Sequence, residues 1–305
     1  MTEQGDYGRN LRVTCIVLNW NGWKDTVQCL AALQRCTHSQ LTTIVVDNGS
    51  TDDSASRIRL EFPEIFLLET GKNLGFAAGN NVGIRYALDH GADFIWLLNN
   101  DTEPAPEALS ALVTKALTDD KIGAVASICY YADSPSTVQV WAGARVNLWT
   151  GSARNATEPQ IDEWFDALYG ASLLIRRTAL EDVGLLDEGF FFYWEETEFC
   201  LRLRKRSWRL AAAPDSSVLH KTGASIGKDM SLRDRYSTAS ALRVLRLHSS
   251  APALAITLFL ALRFGRRLIY REFSRCVAVW AGVRDYCRTP QTAAQANDIR
   301  YNRGF

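Results

Sequence analysis

Short apolar runs alternate with amphipathic stretches along the first 126 residues of the chain. Five apolar runs predict strands over residues 13–18, 43–47, 65–69, 94–98 and 122–126, of which the run at 94–98 has the composition of a buried strand. The stretches between them have helical spacing and predict helices over residues 23–35, 54–61, 77–90 and 106–118. Continuous apolar strands that alternate with helices are typical of a mainly parallel sheet with helices on both faces. The pattern therefore predicts an α/β fold.

The rest of the chain is less regular and then becomes helical. The pattern predicts a strand over residues 171–175, a helix over 195–207 and then a linker with Pro214 and Gly223. From residue 232 to 283 it is helical, and its apolar part, 251–262, is shorter than the ~20 residues that a membrane span needs. Four arginines follow that part, which favours helices lying on a membrane surface. We therefore expect an α/β domain over residues 1–230 and a membrane-associating helical extension over 231–305.

Charge and cysteine content narrow the classes of partner and compartment. The net charge of zero argues against chain-wide nucleic-acid binding, but ten arginines and only two acids lie between residues 235 and 288. This basic, aromatic-bearing segment suits an anionic surface. The seven cysteines form no CxxC pair, which indicates neither a disulfide framework nor a zinc site and fits a reducing compartment. Residues 1–10 are polar without an apolar signal core, so we expect a cytoplasmic protein.

Polar side chains end two of the predicted strands. Asp47 precedes Asn48-Gly49-Ser50, and the strand at 94–98 runs into Asn99-Asn100-Asp101. Ligands of open α/β sheets bind at the carboxyl ends of strands. We therefore favour a contact with a base or ribose for Asp47 over a helix-capping role. For Asp101 we favour a contact with Mg²⁺ or Mn²⁺ on a diphosphate over an Asx turn.

Three further segments contain candidate residues, each with an ordinary alternative. A glycine-rich stretch over residues 71–83 opens a helix, where Lys72 and free N–H groups suit a phosphate, although a plain loop is nearly as good an interpretation. Glu195 and Glu196 follow an aromatic run, as first-turn acids of a helix or as a general base beside an aromatic wall. His220, followed by glycine and serine, is a structural loop histidine or a ligand of metal or phosphate.

Taken in order, these segments resemble the family-2 inverting glycosyltransferases of the GT-A fold, in the bacterial rhamnosyltransferase-like branch. The resemblance runs from about residue 13 to 225, and the ordered set is specific although its single pieces are not. The matching pieces are Asn19, Asn21-Gly22, 46–52, 73–83, 98–101, Gly170-Ala171, Arg176-Arg177, Asp187-Glu188, 195–198 and His220. Two departures are Trp194-Glu195-Glu196 in place of the usual Gly-Glu-Asp, and Ser207 in place of a common glycine.

The resemblance implies a Rossmann-like GT-A domain that moves a sugar, rhamnose or similar, from a nucleoside diphosphate donor to a glycan or lipid-linked acceptor. The setting would be cell-surface polysaccharide synthesis at the inner face of the cell membrane. It implies Glu196 as the catalytic base with Glu195 beside it, and a Mg²⁺ or Mn²⁺ ion on Asp101 and His220. Donor contacts would come from Asn19, Asp47, Asn48, Lys72, Asn73, Asn81 and Asn100, and acceptor contacts from Gly170, Trp194 and Glu195.

Two rival interpretations stay open at this point. A sugar nucleotidyltransferase uses a related sheet, but it is expected to carry a glycine- and arginine-rich loop after the first strand, where this chain has Asn19-Trp20-Asn21-Gly22-Trp23. A catalytically silent, membrane-associated subunit that binds a sugar nucleotide is the rival from another class, because the motif at Trp194-Glu195-Glu196 is altered.

Overall fold

The computed structural model describes residues 11–221 and 229–289. The predicted signal-free start at 1–10 and the glycine and serine after His220 lie outside the described residues. The strands are β1 (Val13–Asn19), β2 (Leu41–Asp47), β3 (Phe66–Glu69), β4 (Phe94–Asn99), β5 (Thr102–Pro104), β6 (Ile122–Tyr131), β7 (Ser134–Trp141), β8 (Gly143–Asn147), β9 (Ser152–Asn155), β10 (Ala167–Leu168), β11 (Ser172–Arg176) and β12 (Arg209–His220). The helices are α1 (Trp23–Leu33), α2 (Ser54–Glu61), α3 (Phe76–Asp89), α4 (Ala108–Leu117), α5 (Arg177–Val183), α6 (Glu195–Lys205), α7 (Met230–His248), α8 (Pro252–Ile269) and α9 (Phe273–Arg288).

A nine-stranded mixed sheet forms the centre of the fold. Its order is β3-β2-β1-β4-β11-β6-β12-β5, with β7 paired to β6. Strands β1 to β4 are mutually parallel, β12 is parallel to β6, and β11 is antiparallel to both of its neighbours. Six strands thus share one direction, and β5, β7 and β11 oppose it. The predicted α/β class is confirmed.

Apolar side chains fill both faces of this sheet. On one face Ile16, Ile44 and Ile95 join a core cluster with residues of α3, α5 and α6. On the other face Val45 and Trp96 pack against α1 and α4. Alternate residues of the same strands point to opposite faces, so both faces need an apolar cover. The helices on both sides, as predicted, provide it.

The prediction of a linker after the helix at 195–207 was wrong at residues 209–220. These residues form β12, which lies between β6 and β5. Pro214 sits inside a register shift between Ala213 and Ser217, where the ladder with β6 is interrupted. A proline is tolerated at such an irregularity because no backbone N–H is required there. The strand continues beyond it to His220.

The C-terminal helices pack on one another and on the α/β core. Helix α7 carries Arg243, which forms a buried ion pair with Asp187 at 2.9 Å, and Val244, which joins the main core. Near the other end of α7, Asp234 accepts hydrogen bonds from arginines of α8 and α9. In the ranges that the structure describes, no helix is long and apolar enough to cross a membrane.

Candidate active site

A hydrogen-bonded network joins the carboxyl ends of three parallel strands. Asn19 and Asp47 are register partners at the ends of β1 and β2, and Asn19 Nδ2 donates to Asp47 Oδ2 at 2.8 Å. The Ser50 hydroxyl donates to the same oxygen at 2.7 Å. Thr26 donates to Asn19 Oδ1 at 2.8 Å, and Asn100, after β4, donates to Thr26 at 3.0 Å. The network gives this edge of the sheet a fixed row of polar groups.

The loop before α3 is fastened to the same edge, but its N–H groups are not free. Backbone N–H groups of residues 74–76 donate to Asn48 Oδ1, Asn73 Oδ1 and the Phe191 carbonyl at 3.0, 2.9 and 2.7 Å. The expectation that free N–H groups here would face a phosphate is therefore wrong for these three residues. Lys72 is exposed. Asn48 and Asn73 hold the loop in place beside the end of β2.

Asn81 lies in the interior with its amide engaged. Its Nδ2 donates to the Leu186 carbonyl at 2.8 Å and to Glu188 Oε1 at 3.0 Å, and its Oδ1 accepts from the Leu186 N–H at 3.1 Å. Both ends of the side chain thus fasten α3 to the segment before α6. The donor contact predicted for Asn81 gains no support from this arrangement.

Asp101 and His220 face each other where β4 ends and β12 ends. His220 pairs with Thr102 of the short strand β5, so the carboxylate and the imidazole lie side by side. Asp101 Oδ1 is 3.3 Å from His220 Nε2, and both side chains are less than a tenth exposed. His220 Nδ1 lies 2.6 Å from Gln139 Oε1. Since an amide oxygen only accepts hydrogen bonds, Nδ1 carries the proton in this contact, and in the neutral imidazole the lone pair is then on Nε2, which faces Asp101.

This pair fits a divalent cation. A carboxylate oxygen and a lone-pair nitrogen are both ligand atoms, and each repels the other unless a cation or proton lies between them. Metal-binding histidines usually donate their second N–H to an outer partner, which is the role that Gln139 has here. Among the described residues no cluster of three or more His, Cys, Asp or Glu side chains suits a metal. Ions such as Mg²⁺ bind one or two protein carboxylates together with substrate oxygens and water.

Glu196 lines a cavity of about 270 Å³ near the Asp101–His220 pair. The other walls include Tyr169, Tyr193, Trp194, Thr197 and Arg233. The side chain of Glu196 rests against Gly170, where an added Cβ would lie 3.3 Å from its Cγ. A larger residue at 170 would therefore push the carboxylate away. Burial raises the pKa of Glu196, as is common for a general base.

Glu195 has a different environment from its neighbour. It is buried, and its Oε2 has no hydrogen-bond partner among the described residues. Burial, followed by the nearby charge of Glu196, raises the pKa of Glu195 well above its ordinary value. Because Glu195 is buried whereas Glu196 lines the cavity, the pair favours the charge on Glu196 and the proton on Glu195. Neither the base role nor the acceptor contact predicted for Glu195 is supported by a buried acid.

The backbone before α6 is strained. Tyr193 and Trp194 have φ angles of 68° and 71°, in the left-handed region where non-glycine residues cost on the order of 1–2 kcal/mol. Trp194 is held there because its ring packs on both the main core and the C-terminal helix cluster. The strained pair leads straight into Glu195 and Glu196, so the packing of Trp194 fixes where the Glu196 side chain begins.

Tyr169 lies between the Asp101–His220 pair and the cavity that Glu196 lines. Its ring meets the His220 ring edge-on with centroids 5.8 Å apart, and it also lines the cavity of Glu196. Burial raises the pKa of Tyr169, and the charges of Glu196 and Asp101 both add to the effect. The Asp101–His220 pair and the Glu196 cavity are therefore adjacent.

Three residues of this site escaped the sequence-based predictions. Gln139, Tyr169 and Arg233 come from β7, from the turn before β11 and from α7. No motif marks them, because each reaches the site through long-range packing. Tyr169 alone had a signal, as the direct neighbour of Gly170.

Comparison with known proteins identifies what this arrangement is similar to. A family model described as Glycosyl transferase family 2 matches residues 14–184, more than half of the chain. That segment includes the network at the ends of β1, β2 and β4, and Asp101. An N-acetylglucosaminyl-diphospho-decaprenol L-rhamnosyltransferase from Mycobacterium tuberculosis is 29% identical over 223 residues, which cover 66% of this chain and 73% of the relative.

Solved structures of glycosyltransferases share the fold. A mannosyltransferase from Pyrobaculum calidifontis in complex with GDP-Man and Mn²⁺ aligns with a TM-score of 0.58 at 17% identity, covering 91% of this chain and 75% of that one. GalNAc-T7 with UDP, GalNAc and Mn²⁺ gives 0.62 at 15% identity, covering 80% and 49%. The predicted GT-A fold is confirmed by these alignments.

Proposed function

This chain belongs to glycosyl transferase family 2, and from that premise we propose that it transfers a sugar, rhamnose or similar, from a nucleoside diphosphate to a lipid-linked glycan acceptor. The observation that carries the proposal is the placement of Tyr169 beside both Asp101–His220 and Glu196. An inverting transfer needs a leaving-group site and a base on opposite sides of one anomeric carbon. The Asp101–His220 pair and Glu196, which both lie beside Tyr169, supply these two groups.

The donor would bind along the strand-end network. Asp47 and Asn19, fixed by each other and by Ser50, would contact the base or ribose, and Asn100 lies next to them along the edge. Asn48, Lys72 and Asn73 belong to the loop beside this edge. Because Asn19, Asp47, Asn48 and Asn73 are held by internal hydrogen bonds, little ordering of these side chains is needed when the nucleotide binds.

Asp101 and His220 would hold a divalent ion on the donor diphosphate. The structural neighbours named above contain Mn²⁺, and Mg²⁺ and Mn²⁺ both suit oxygen-rich sites. When bound, such an ion supplies positive charge that stabilises the departing nucleoside diphosphate. Gln139 would keep His220 in the tautomer whose Nε2 is free for this purpose.

Glu196 would take the proton from the acceptor. As the acceptor oxygen bonds to the anomeric carbon, the bond from that carbon to the phosphate oxygen breaks, and its electron pair leaves on the diphosphate. The hydroxyl proton passes to the Glu196 carboxylate. Gly170 leaves room for this carboxylate, and Trp194 forms part of the wall against which the acceptor would lie.

Helices α8 and α9 would attach this enzyme to a membrane. Nine large apolar side chains between residues 254 and 280 are more than a third exposed: Leu254, Leu258, Leu262, Leu268, Ile269, Tyr270, Phe273, Val277 and Trp280. Four exposed arginines, without a carboxylate partner among the described residues, accompany them: Arg266, Arg271, Arg284 and Arg288. An apolar stripe flanked by arginines suits a bilayer with anionic lipids. All seven cysteines are free, which agrees with the reducing cytoplasmic side.

A donor panel tests the transfer reaction. Nucleotide release from UDP-, dTDP- and GDP-sugars would be measured with a lipid diphosphate-linked N-acetylglucosamine acceptor, in Mg²⁺, Mn²⁺ or chelator. We expect acceptor-dependent release that chelator abolishes and that Asp101→Ala and Glu196→Gln each reduce at least a hundredfold. Full turnover in both variants would refute the site.

Vesicle flotation tests the membrane surface. We expect the protein to float with vesicles that contain anionic lipid, less so in high salt, and Leu258→Glu with Leu262→Glu to abolish flotation. Leu60→Glu is the matched control, because Leu60 is exposed on α2, outside α8 and α9. Equal flotation of the double variant and the control would count against this surface.

A further inference from the structure

We infer that Arg233 binds the phosphate group of the acceptor and so restricts the enzyme to acceptors whose reacting sugar is directly attached to phosphate. This inference rests on the proposed function, because it assigns the acceptor class of the same site. Arg233 lies in the first turns of α7 and lines the same cavity as Glu196. Glu196 and the guanidinium of Arg233 thus line the same small cavity.

The guanidinium of Arg233 is not used by the fold. Arg233 is exposed and has no ion pair with a carboxylate among the described residues. Its neighbours on the helix bundle behave differently: Arg263, Arg267 and Arg275 all bind the buried carboxylate of Asp234. The exposed guanidinium at the cavity is therefore available to a ligand.

The surroundings favour an anion rather than a neutral group. Arg263 donates to the Ser237 hydroxyl at 2.5 Å, and Ser237 is itself a wall residue of the cavity, so a second guanidinium lies directly behind that wall. Burial lowers the pKa of Arg263 to about 10, which still leaves it charged at neutral pH. Among the described residues of this region, four guanidinium groups, including Arg233, lie near three carboxylates, namely Asp234, Glu272 and Glu196 of the cavity itself, so positive charge is in excess.

The position of Arg233, on the same side as Glu196, assigns the bound phosphate to the acceptor and not to the donor. In an inverting displacement the attacking hydroxyl and the leaving diphosphate lie on opposite sides of the anomeric carbon. Asp101 and His220 would hold the leaving diphosphate, whereas Arg233 shares its cavity with the base that receives the acceptor proton. A phosphate bound by Arg233 is therefore on the attacking side.

The size of the cavity suits an acceptor that carries its hydroxyl and its phosphate on the same sugar. Its volume of about 270 Å³ is close to the lower end of small-molecule sites, ~300 Å³, and the cavity is partly open to solvent. One sugar ring fits such a space, with its substituents reaching the open side. With its hydroxyl at Glu196, the phosphate on the same sugar would lie at the exposed side, where Arg233 is. A lipid diphosphate that carries a single sugar satisfies both contacts.

Two acceptors that differ only in phosphate test this inference. One is N-acetylglucosamine linked by diphosphate to a short prenyl chain, and the other is N-acetylglucosamine linked directly to the same prenyl chain, without phosphate. Wild type should prefer the first in kcat/KM, and Arg233→Gln should reduce that preference about ten- to hundredfold, mainly through KM. Arg233→Lys should lie between them, because lysine keeps the charge without the fork. Arg246→Gln, on an exposed arginine of the same helix, is the control and should keep the preference.

Binding measurements separate the sources of phosphate. Titration calorimetry with geranyl diphosphate should show weaker binding to Arg233→Gln than to wild type, while binding of the nucleoside diphosphate product is unchanged. Weaker nucleotide binding would assign Arg233 to the donor, and reduced binding to anionic vesicles with unchanged preference would assign it to lipid headgroups. Either result overturns the inference. Failure of the proposed function looks different, because wild type would then transfer no sugar to either acceptor.

Discussion

The two adjacent glutamates before the cavity should differ sharply in their contribution to turnover. Glutamine has the shape of glutamate but cannot accept a proton, so Glu196→Gln keeps the contact with Gly170 and removes only the base. A positioned general base contributes about 10²–10⁴ in rate, or about 3–5 kcal/mol in activation free energy. Glu195 is buried and keeps its proton, so Glu195→Gln replaces one neutral group by another. We expect turnover within about threefold of wild type for that variant.

The two glutamates should affect activity and stability in opposite directions as pH rises. The pKa of Glu196 is raised, and the base must be ionised, so kcat/KM should rise with pH through a pKa above the ordinary value of 4.5. For stability the sign follows from Glu195. Its folded-state pKa is raised, so the unfolded chain binds fewer protons than the folded chain above about pH 4.5, and the free energy of unfolding falls as pH rises. Glu195→Gln should therefore gain on wild type by up to about 1.4 kcal/mol per pH unit until the raised pKa is reached.

Initial rates of nucleotide release at saturating donor, with thermal melting of each variant between pH 4 and 8, measure both effects. If Glu195→Gln lost a hundredfold in kcat while Glu196→Gln kept its activity, the base would be Glu195. The reasoning from burial would then be refuted. Loss of folding in either variant would show in the melting curves and would not be mistaken for loss of the base.

Three further changes test the metal corner, the attachment of α7 and the backbone. Gln139→Leu should raise the Mn²⁺ concentration for half-maximal activity about ten- to hundredfold, as measured by metal titration, because His220 loses its tautomer-fixing partner. Asp187→Asn should destabilise the fold by about 3–5 kcal/mol in denaturant titrations, since the buried Arg243 loses its carboxylate partner, whereas Asp53→Asn, in an exposed pair, should have little effect. Ser207→Gly should stabilise by about 1 kcal/mol, since Ser207 has a φ of 63°, and Ser207→Ala should not.

The parts of the fold that follow from local pattern were predictable from the sequence. Strands β1, β2, β3, β4 and β6 start within about two residues of their predicted positions, because each contains a short apolar run, and in β1 and β4 this run is buried on both faces of the sheet. The strand β12 was missed, since Pro214 and the small residues around it have the composition of a linker. Only its pairing with β6 on one side and β5 on the other makes it a strand.

The candidate site likewise contains residues that a local sequence feature reveals and residues that only the fold brings in. Asp47 and Asp101 could be identified because a carboxylate at the end of an apolar strand is a local feature. Gln139 could not, because it reaches His220 across 81 positions of sequence. The two departures from the family pattern also have a structural reading: Trp194 and Ser207, which replace common glycines, both have left-handed φ angles. The backbone thus keeps the conformation that glycine would favour, at a cost in strain.

The run Asn99-Asn100-Asp101 contains one carboxylate and two asparagines, so Asp101 is its only anionic ligand for a cation. In the structure each of the three residues makes a different contact. The Asn99 backbone pairs with Ala171 at 3.0 Å and so brings Gly170, and through it Glu196, next to the end of β4. The Asn100 side chain joins the network that leads through Thr26 to Asn19. Asp101 alone faces His220, and the nitrogen of this histidine stands in for a second carboxylate. A site with one carboxylate and one neutral imidazole leaves more positive charge on a bound ion than two carboxylates would. That charge is then available to the diphosphate.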